Sequence, residues 1–169
     1  MQFGDRNVFG MQVELDANYG GSWLFGRFCY WINGAQVGDY NLGTSLRDLF
    51  FSMKWIAYDR GKRRGHDLCN LPPHEMFLLL DNSLYGDKET VAGSSIPETP
   101  ARFDIAPRVD IFDGWKVYLV DCEMYDLILY SKTGADNKIE VFNAPAGIFD
   151  IVITQTYDYL ENLVDSQAK

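Results

Sequence analysis

Residues with nucleophilic or metal-binding chemistry come close together in one stretch, around His66 and Cys69. A cysteine thiol beside an imidazole can act as a nucleophile with its base, and both side chains bind zinc. The second histidine, His74, follows two prolines, and the paired spacing that is typical of zinc ligands is absent. We therefore expect neither a metal site nor a thiol–imidazole pair, and we expect no cofactor.

Sequence motifs of known enzyme classes are absent from the chain. It contains no G-x-S-x-G, no phosphate-binding loop, and no G-x-G-x-x-G placed after a strand. The 24 acidic residues include many possible acid–base pairs, but nothing in their pattern selects one. We predict that the protein is not an enzyme. An enzyme of unrecognised type that uses clustered carboxylates is the alternative.

Aromatic side chains form the first pattern that is suited to binding another protein. A helix predicted over about residues 45–60 has one apolar stripe for the core, and it places Phe51, Trp55 and Tyr58 roughly opposite. Tryptophan and tyrosine are favoured interface anchors because they bury a large area at a small entropic cost. Trp55 and Tyr58 are therefore candidate contact residues. The alternatives are that the fold itself covers this face, or that it joins a structural dimer.

Acidic side chains form the second pattern. The last predicted helix, at about residues 145–164, has apolar residues on a broad arc and acids in a narrow stripe on the other side. Such a stripe is also consistent with an ordinary solvated face. The acidic candidates for partner contacts are Glu123, Asp126, Asp150, Asp158, Glu161 and Asp165.

The net charge of −9 is distributed unevenly. Residues 1–109 carry 13 acids and 11 bases, a net of −2, whereas residues 110–165 carry 11 acids and 3 bases, a net of −8; Lys169 closes the sum. This field repels nucleic acid and anionic membranes and attracts basic proteins. The basic run RGKRRG at 60–65 could be a nucleic-acid patch, but we interpret it as the end of the first helix and a solvated loop.

The order of predicted elements indicates an α+β fold in a single domain, with a mainly antiparallel sheet of about six or seven strands and three helices. Asn33-Gly34 predicts a type I′ hairpin turn, because both residues tolerate positive φ. Residues 86–101 are polar and rich in Gly, Ser and Pro, which is typical of a loop. We predict strands at 8–15, 23–32, 35–40, 103–109 (weak), 115–122, 125–131 and 138–143, and helices at 45–60, 72–86 and 145–164.

The three cysteines, Cys29, Cys69 and Cys122, are scattered along the chain and form no C-x-x-C pair. This usage is typical of reduced, buried thiols in the cytoplasm. No apolar run is long enough to cross a bilayer, and the N-terminus lacks the pattern of a secretory signal. We therefore expect a cytoplasmic protein.

The most distinctive part of the sequence is the block WLFGRFCYWINGAQVGDYNLGTSLRDLF at 23–51, preceded by Gly4-Asp5. It resembles immunity protein family 42 of bacterial polymorphic toxin systems. The likeness is strongest from Trp23 to Asp48. It continues more loosely through LPPHEMFLLLDNSLYG, and beyond residue 100 it is one of general character.

The resemblance implies that residues 1–169 form one immunity-protein domain. Such a protein is a cytoplasmic antitoxin that binds the C-terminal toxin domain delivered by a neighbouring cell, as in contact-dependent growth inhibition. Many of these toxins are nucleases with basic clefts, so a basic nuclease is the expected partner of a free monomer. The family offers no catalytic motif and no binding residue that can be transferred to a position in this chain.

Overall fold

A computed structural model describes residues 1–86, 99–134 and 138–167. It confirms an α+β fold in a single domain, with eight strands in two antiparallel sheets and three helices among these residues. The strands are β1 (Gln2–Gly4), β2 (Phe9–Leu15), β3 (Phe25–Ile32), β4 (Ala35–Val37), β5 (Thr44–Ser45), β6 (Trp115–Asp121), β7 (Tyr125–Lys132) and β8 (Glu140–Pro145). The helices are α1 (Leu46–Tyr58), α2 (Pro73–Tyr85) and α3 (Ile148–Gln167).

The larger sheet has the order β1-β2-β3-β4, and β5 pairs with the first residues of β3. The predicted hairpin between β3 and β4 is confirmed, since Asn33 and Gly34 have φ values of 49° and 80°. Alternation along β3 directs Phe28, Tyr30 and Ile32 into the main core. The β3–β4 hairpin therefore contributes mainly to the core of the protein.

Helices α1 and α3 pack against each other and against the larger sheet, with α1 on β3 and α3 on β1 and β2. The Ser45 hydroxyl accepts a hydrogen bond from the Asp48 amide (3.1 Å), so Ser45 is the N-cap of α1. The predicted apolar stripe of α1 is buried, with Leu46, Leu49 and Met53 fully inside the core.

The smaller sheet, β6-β7-β8, is apolar on both faces. Along β6, Val117 and Leu119 belong to the main core, whereas the alternate residues Tyr118 and Val120 belong to a second core that also includes Phe77 of α2. The smaller sheet therefore lies between the main core and the second core, to which α2 belongs. This explains why the sequence of β6 and β7 lacks the alternation of a half-solvated strand.

The prediction of a weak strand at 103–109 was wrong. A short 3₁₀ helix, Pro100–Phe103, is followed by an irregular segment that touches β6 through a single bridge between Asp104 and Tyr118. The Asp104 carboxylate accepts the Ala106 amide (3.1 Å), and Pro107 has no amide hydrogen to donate to a neighbouring strand. The sequence also failed to indicate the short strands β1 and β5. Most of the predicted 86–101 loop lies outside the described residues.

The expectation of three reduced cysteines was also wrong. Cys69 and Cys122 form a disulfide, with Cα atoms 5.8 Å apart, although 53 positions separate them in sequence. They meet because Asp121, at the end of β6, exchanges backbone hydrogen bonds with Arg63 and Gly65, just before the 3₁₀ helix Leu68–Asn70. Cys29 is a buried free thiol, and burial raises its pKa to about 12.

Candidate partner-binding surface

The outer side of α1 is an exposed aromatic face. Phe51, Trp55 and Tyr58 are 55%, 69% and 66% exposed, so the described residues do not cover them. The Trp55 and Tyr58 rings meet edge to face, with centroids 6.2 Å apart, and the Lys62 ammonium lies 3.4 Å from the Tyr58 ring centre. These contacts restrict the rings before any partner arrives, which lowers the entropic cost of binding.

The outer side of α3 carries the acidic stripe. Asp158, Glu161 and Asp165 are exposed, and within the described ranges none of them forms an ion pair. Their negative field therefore extends into solvent, where it can attract a basic protein.

The aromatic and acidic surfaces adjoin each other. Phe50 of α1 stacks on Tyr157 of α3 with ring centroids 4.8 Å apart, while Arg60, just beyond α1, donates to Thr154 (2.6 Å). Later residues of α1 thus meet earlier residues of α3, and the two helices run antiparallel, side by side. We call their common outer surface the helical face; it comprises Phe51, Trp55, Tyr58, Asp158, Glu161 and Asp165.

Asp150 has a structural task inside the protein. Its carboxylate accepts the Gly61 amide (2.7 Å) and pairs with Arg63 (3.4 Å). Arg63 is 2% exposed and also donates to the carbonyls of Ile56 and Arg102. Burial lowers the pKa of this guanidinium, and the Asp150 carboxylate opposes that shift. Asp150 therefore links the basic run at 60–65 to α3. Because its carboxylate is engaged in this way, Asp150 is not included in the helical face.

Asp126 is not an exposed acid, contrary to its place among the contact candidates. It is 4% exposed, and its carboxylate accepts the Gly147 amide (3.0 Å) at the start of α3. Burial raises the pKa of Asp126 to about 6, and the hydrogen bonds from Gly147 and Phe149 oppose this rise. No local pattern in the sequence indicates that β7 directs this carboxylate inward to the start of α3.

Glu123 is exposed at the turn between β6 and β7, where its φ is 67°. It lines a cavity of about 250 Å³ together with Arg64, His66 and the disulfide. No residue of α1 or α3 lines this cavity, so Glu123 belongs to a different part of the surface from the helical face. With both sulfurs in the disulfide, Cys69 has no thiol to act with His66.

The basic run at 60–65 is largely engaged within the protein. Lys62 pairs with Asp59 (3.8 Å), and Arg64 pairs with Asp121 (3.6 Å). Across the described ranges, no group of three or more His, Cys, Asp or Glu side chains is arranged to hold a metal ion, and no helix is long and apolar enough to span a bilayer.

A groove that the sequence did not indicate lies beside α1. The segment 104–110 forms its other wall, where the Arg108 amide donates to the Ser52 hydroxyl. A second cavity, of about 640 Å³, has Arg108 in common with the first; we call the two together the groove and the larger cavity its widest part. A neighbouring cavity of about 510 Å³ contains Asp104, whose pKa is raised by burial and whose carboxylate is bonded to Tyr85 and Arg108.

Comparisons with known proteins cover nearly the whole chain. The family model for Immunity protein 42 matches residues 1–159. Among solved structures, the crystal structure of CdiI from Burkholderia dolosa AUO158 superposes with a TM-score of 0.71 at 15% sequence identity, covering 94% of this chain and 99% of that one. Comparison with curated proteins gave no match. The CdiI structure shows that the fold is shared.

Proposed function

The chain belongs to the immunity protein 42 family, and from this we propose that it is an antitoxin that binds a cognate toxin domain and neutralises it. The family match over residues 1–159 is the observation that carries the proposal. Neutralisation by stoichiometric binding requires a contact surface rather than a reaction centre. The protein is accordingly proposed to be an inhibitor, not an enzyme.

The helical face is the proposed contact surface. It combines aromatic side chains that can fill pockets on a partner with unpaired carboxylates that can accelerate association. Trp55 and Tyr58 would provide buried area at the centre, and Asp158, Glu161 and Asp165 would form an acidic rim. Glu123, which is exposed at the turn between β6 and β7, lies apart from the helical face and is proposed as a separate, secondary contact.

The toxin is proposed to be a nuclease with a basic cleft. The support is electrostatic: residues 110–165 carry a net charge of −8, and the α3 acids extend that charge to the surface. A carboxylate-rich surface can occupy a cleft that binds phosphates, because carboxylates, like phosphates, present negatively charged oxygens. The protein is further proposed to act in the cytoplasm, where the nucleic acids are, and to be a monomer when free.

Growth rescue tests the proposed function. The toxin domain encoded immediately upstream is expressed from an inducible promoter, with or without the chain on a second plasmid. We expect growth to stop with the toxin domain alone and to continue when the chain is present. A toxin domain with an inactivating mutation is the control for expression burden. Arrested growth despite soluble, folded antitoxin would contradict the proposal.

A further inference from the structure

Each of the two cavities of the groove is lined by an exposed tryptophan. Trp55 lines the smaller cavity, of about 200 Å³, and Trp23 lines the widest part; Arg108 lines both. Since Trp55 also belongs to the helical face, a protein that covers this face can reach into the groove.

The widest part is built from the two ends of the 23–48 block. Gly26 pairs with Thr44 where β3 meets β5, and the Leu46 amide donates to the Leu24 carbonyl (2.9 Å). This pairing places Trp23 and Phe25 on one side of the cavity and residues 42–48 on the other. The middle of the block forms the β3–β4 hairpin, and its ends line the cavity.

The wall chemistry of this part suits a cation. The Trp23 and Phe25 rings are nearly parallel (13°, centroids 6.5 Å apart) and about half exposed, at 48% and 44%. The Arg47 guanidinium already lies 4.3 Å from the centre of the Trp23 ring. Indole faces attract cations through their negative quadrupole.

Three carboxylates, those of Asp16, Asp48 and Asp110, line the same cavity. Asp110 accepts hydrogen bonds from the Thr44 hydroxyl and the Ile111 amide (both 3.0 Å) and has no ion pair among the described residues. Arg108 is bonded to Asp104 instead (2.9 Å).

Asp16 and Asp48 pair with Arg27 and Arg47, each at 3.7 Å. Both carboxylates are partly exposed and both contacts are long, so the arginines hold them weakly, although the Arg47 Nε itself is buried without a hydrogen-bond partner among the described residues. Among the described residues, Asp110 is thus the lining carboxylate without an ion pair, and an incoming basic side chain can neutralise it.

We propose that this groove receives a lysine or arginine side chain of the toxin. The inference rests on the proposed function and assigns to it a second contact next to the helical face. The basic side chain would lie against the Trp23 and Phe25 rings, with its charged end at Asp110 and Asp48. Partial desolvation there strengthens both the cation–π contact and the ion pairs.

Binding of the upstream toxin domain to the double variant Asp48→Asn/Asp110→Asn tests the proposal. Asparagine at residue 110 retains an acceptor oxygen for Thr44, whereas asparagine at residue 48 also removes the charge that pairs with Arg47. The Kd is expected to rise at least about tenfold and its salt dependence to weaken. Asp16→Asn, at an exposed pair, gives a smaller rise and serves if the double variant does not fold. Asp67→Asn, at an exposed position outside the groove, is the control. Unchanged affinity in folded groove variants would overturn the proposal.

A second arm separates this proposal from the proposed function. If the unmodified chain does not bind the toxin domain, the proposed function fails. The groove is then tested on its own by NMR titration of the chain with acetyl-Gly-Arg-Gly-amide. Shifts confined to Trp23 and the 42–48 amides, and lost in Asp48→Asn/Asp110→Asn, would support a site for basic side chains. Absence of localised shifts would overturn it.

Discussion

Asp126, Asp150 and Asp158 show that acids of one region can have different tasks. Asp158 is exposed, whereas Asp150 is bonded to Gly61 and Arg63, and Asp126 is buried at the start of α3. The helical period placed Asp150 and Asp158 in one stripe. It could not show that the basic segment after α1 folds back onto Asp150, because this contact joins residues 87 to 89 positions apart.

Charge reversal on α3 tests the acidic half of the helical face. In the variant Asp158→Lys/Glu161→Lys, the association rate with the toxin domain is expected to fall about tenfold at low salt, because steering toward a basic surface is lost. The salt dependence of the rate should weaken as well. Stopped-flow kinetics at several ionic strengths would measure both.

The matched control for this variant is Asp67→Lys/Glu75→Lys, which makes the same change in net charge at exposed positions outside α3. A similar loss of rate in the control would assign the effect to net charge alone. Unchanged kinetics in the α3 variant would remove that helix from the interface.

The aromatic half of the helical face is tested in the same experiment. Trp55→Ala is expected to speed dissociation, whereas Met124→Ala, at an 85% exposed apolar residue outside this face, should not.

At the scale of elements, the sequence predicted most helices and strands correctly because their signals are local. The Asn33-Gly34 turn and the apolar stripes of α1 and α3 each depend on a few neighbouring residues. Interactions between distant segments escaped prediction. The groove requires β3 to meet β5, and the disulfide requires the 63–65 backbone to pair with Asp121.

The Cys69–Cys122 disulfide is expected to stabilise the fold by constraining the unfolded chain. Closing a loop of 53 positions contributes about 4 kcal/mol by the chain-entropy relation. Cys122→Ser should therefore lower the melting temperature by about 10 °C for a chain of this size. Thermal unfolding of the oxidised protein would measure the difference.

Reductant provides the control for this disulfide prediction. It should lower the melting temperature of the unmodified protein to nearly that of Cys122→Ser, and it should leave the variant unchanged. Equal melting temperatures of oxidised protein and variant would contradict a stabilising bond. Because reducing compartments open such bonds, the stabilisation applies to the oxidised form.

For the whole molecule, the family and the charge distribution support the same proposal. An acidic antitoxin with an exposed aromatic face and a neighbouring anionic groove is suited to a basic protein partner. The hairpin and the buried acids hold these surfaces in place, and the exposed residues of α1 and α3 are free to make contact. Sedimentation of the free chain as a monomer would agree with this proposal, since a dimer that buried Trp55 would occupy the helical face.

The most direct test of the central claim is calorimetric titration of the purified chain with the toxin domain encoded immediately upstream. We predict one-to-one binding with a Kd well below about 1 μM, as expected for an inhibitor that must hold its target. The affinity should fall as salt rises, because the contact is partly electrostatic. No complex at micromolar concentrations of both folded proteins would contradict the account.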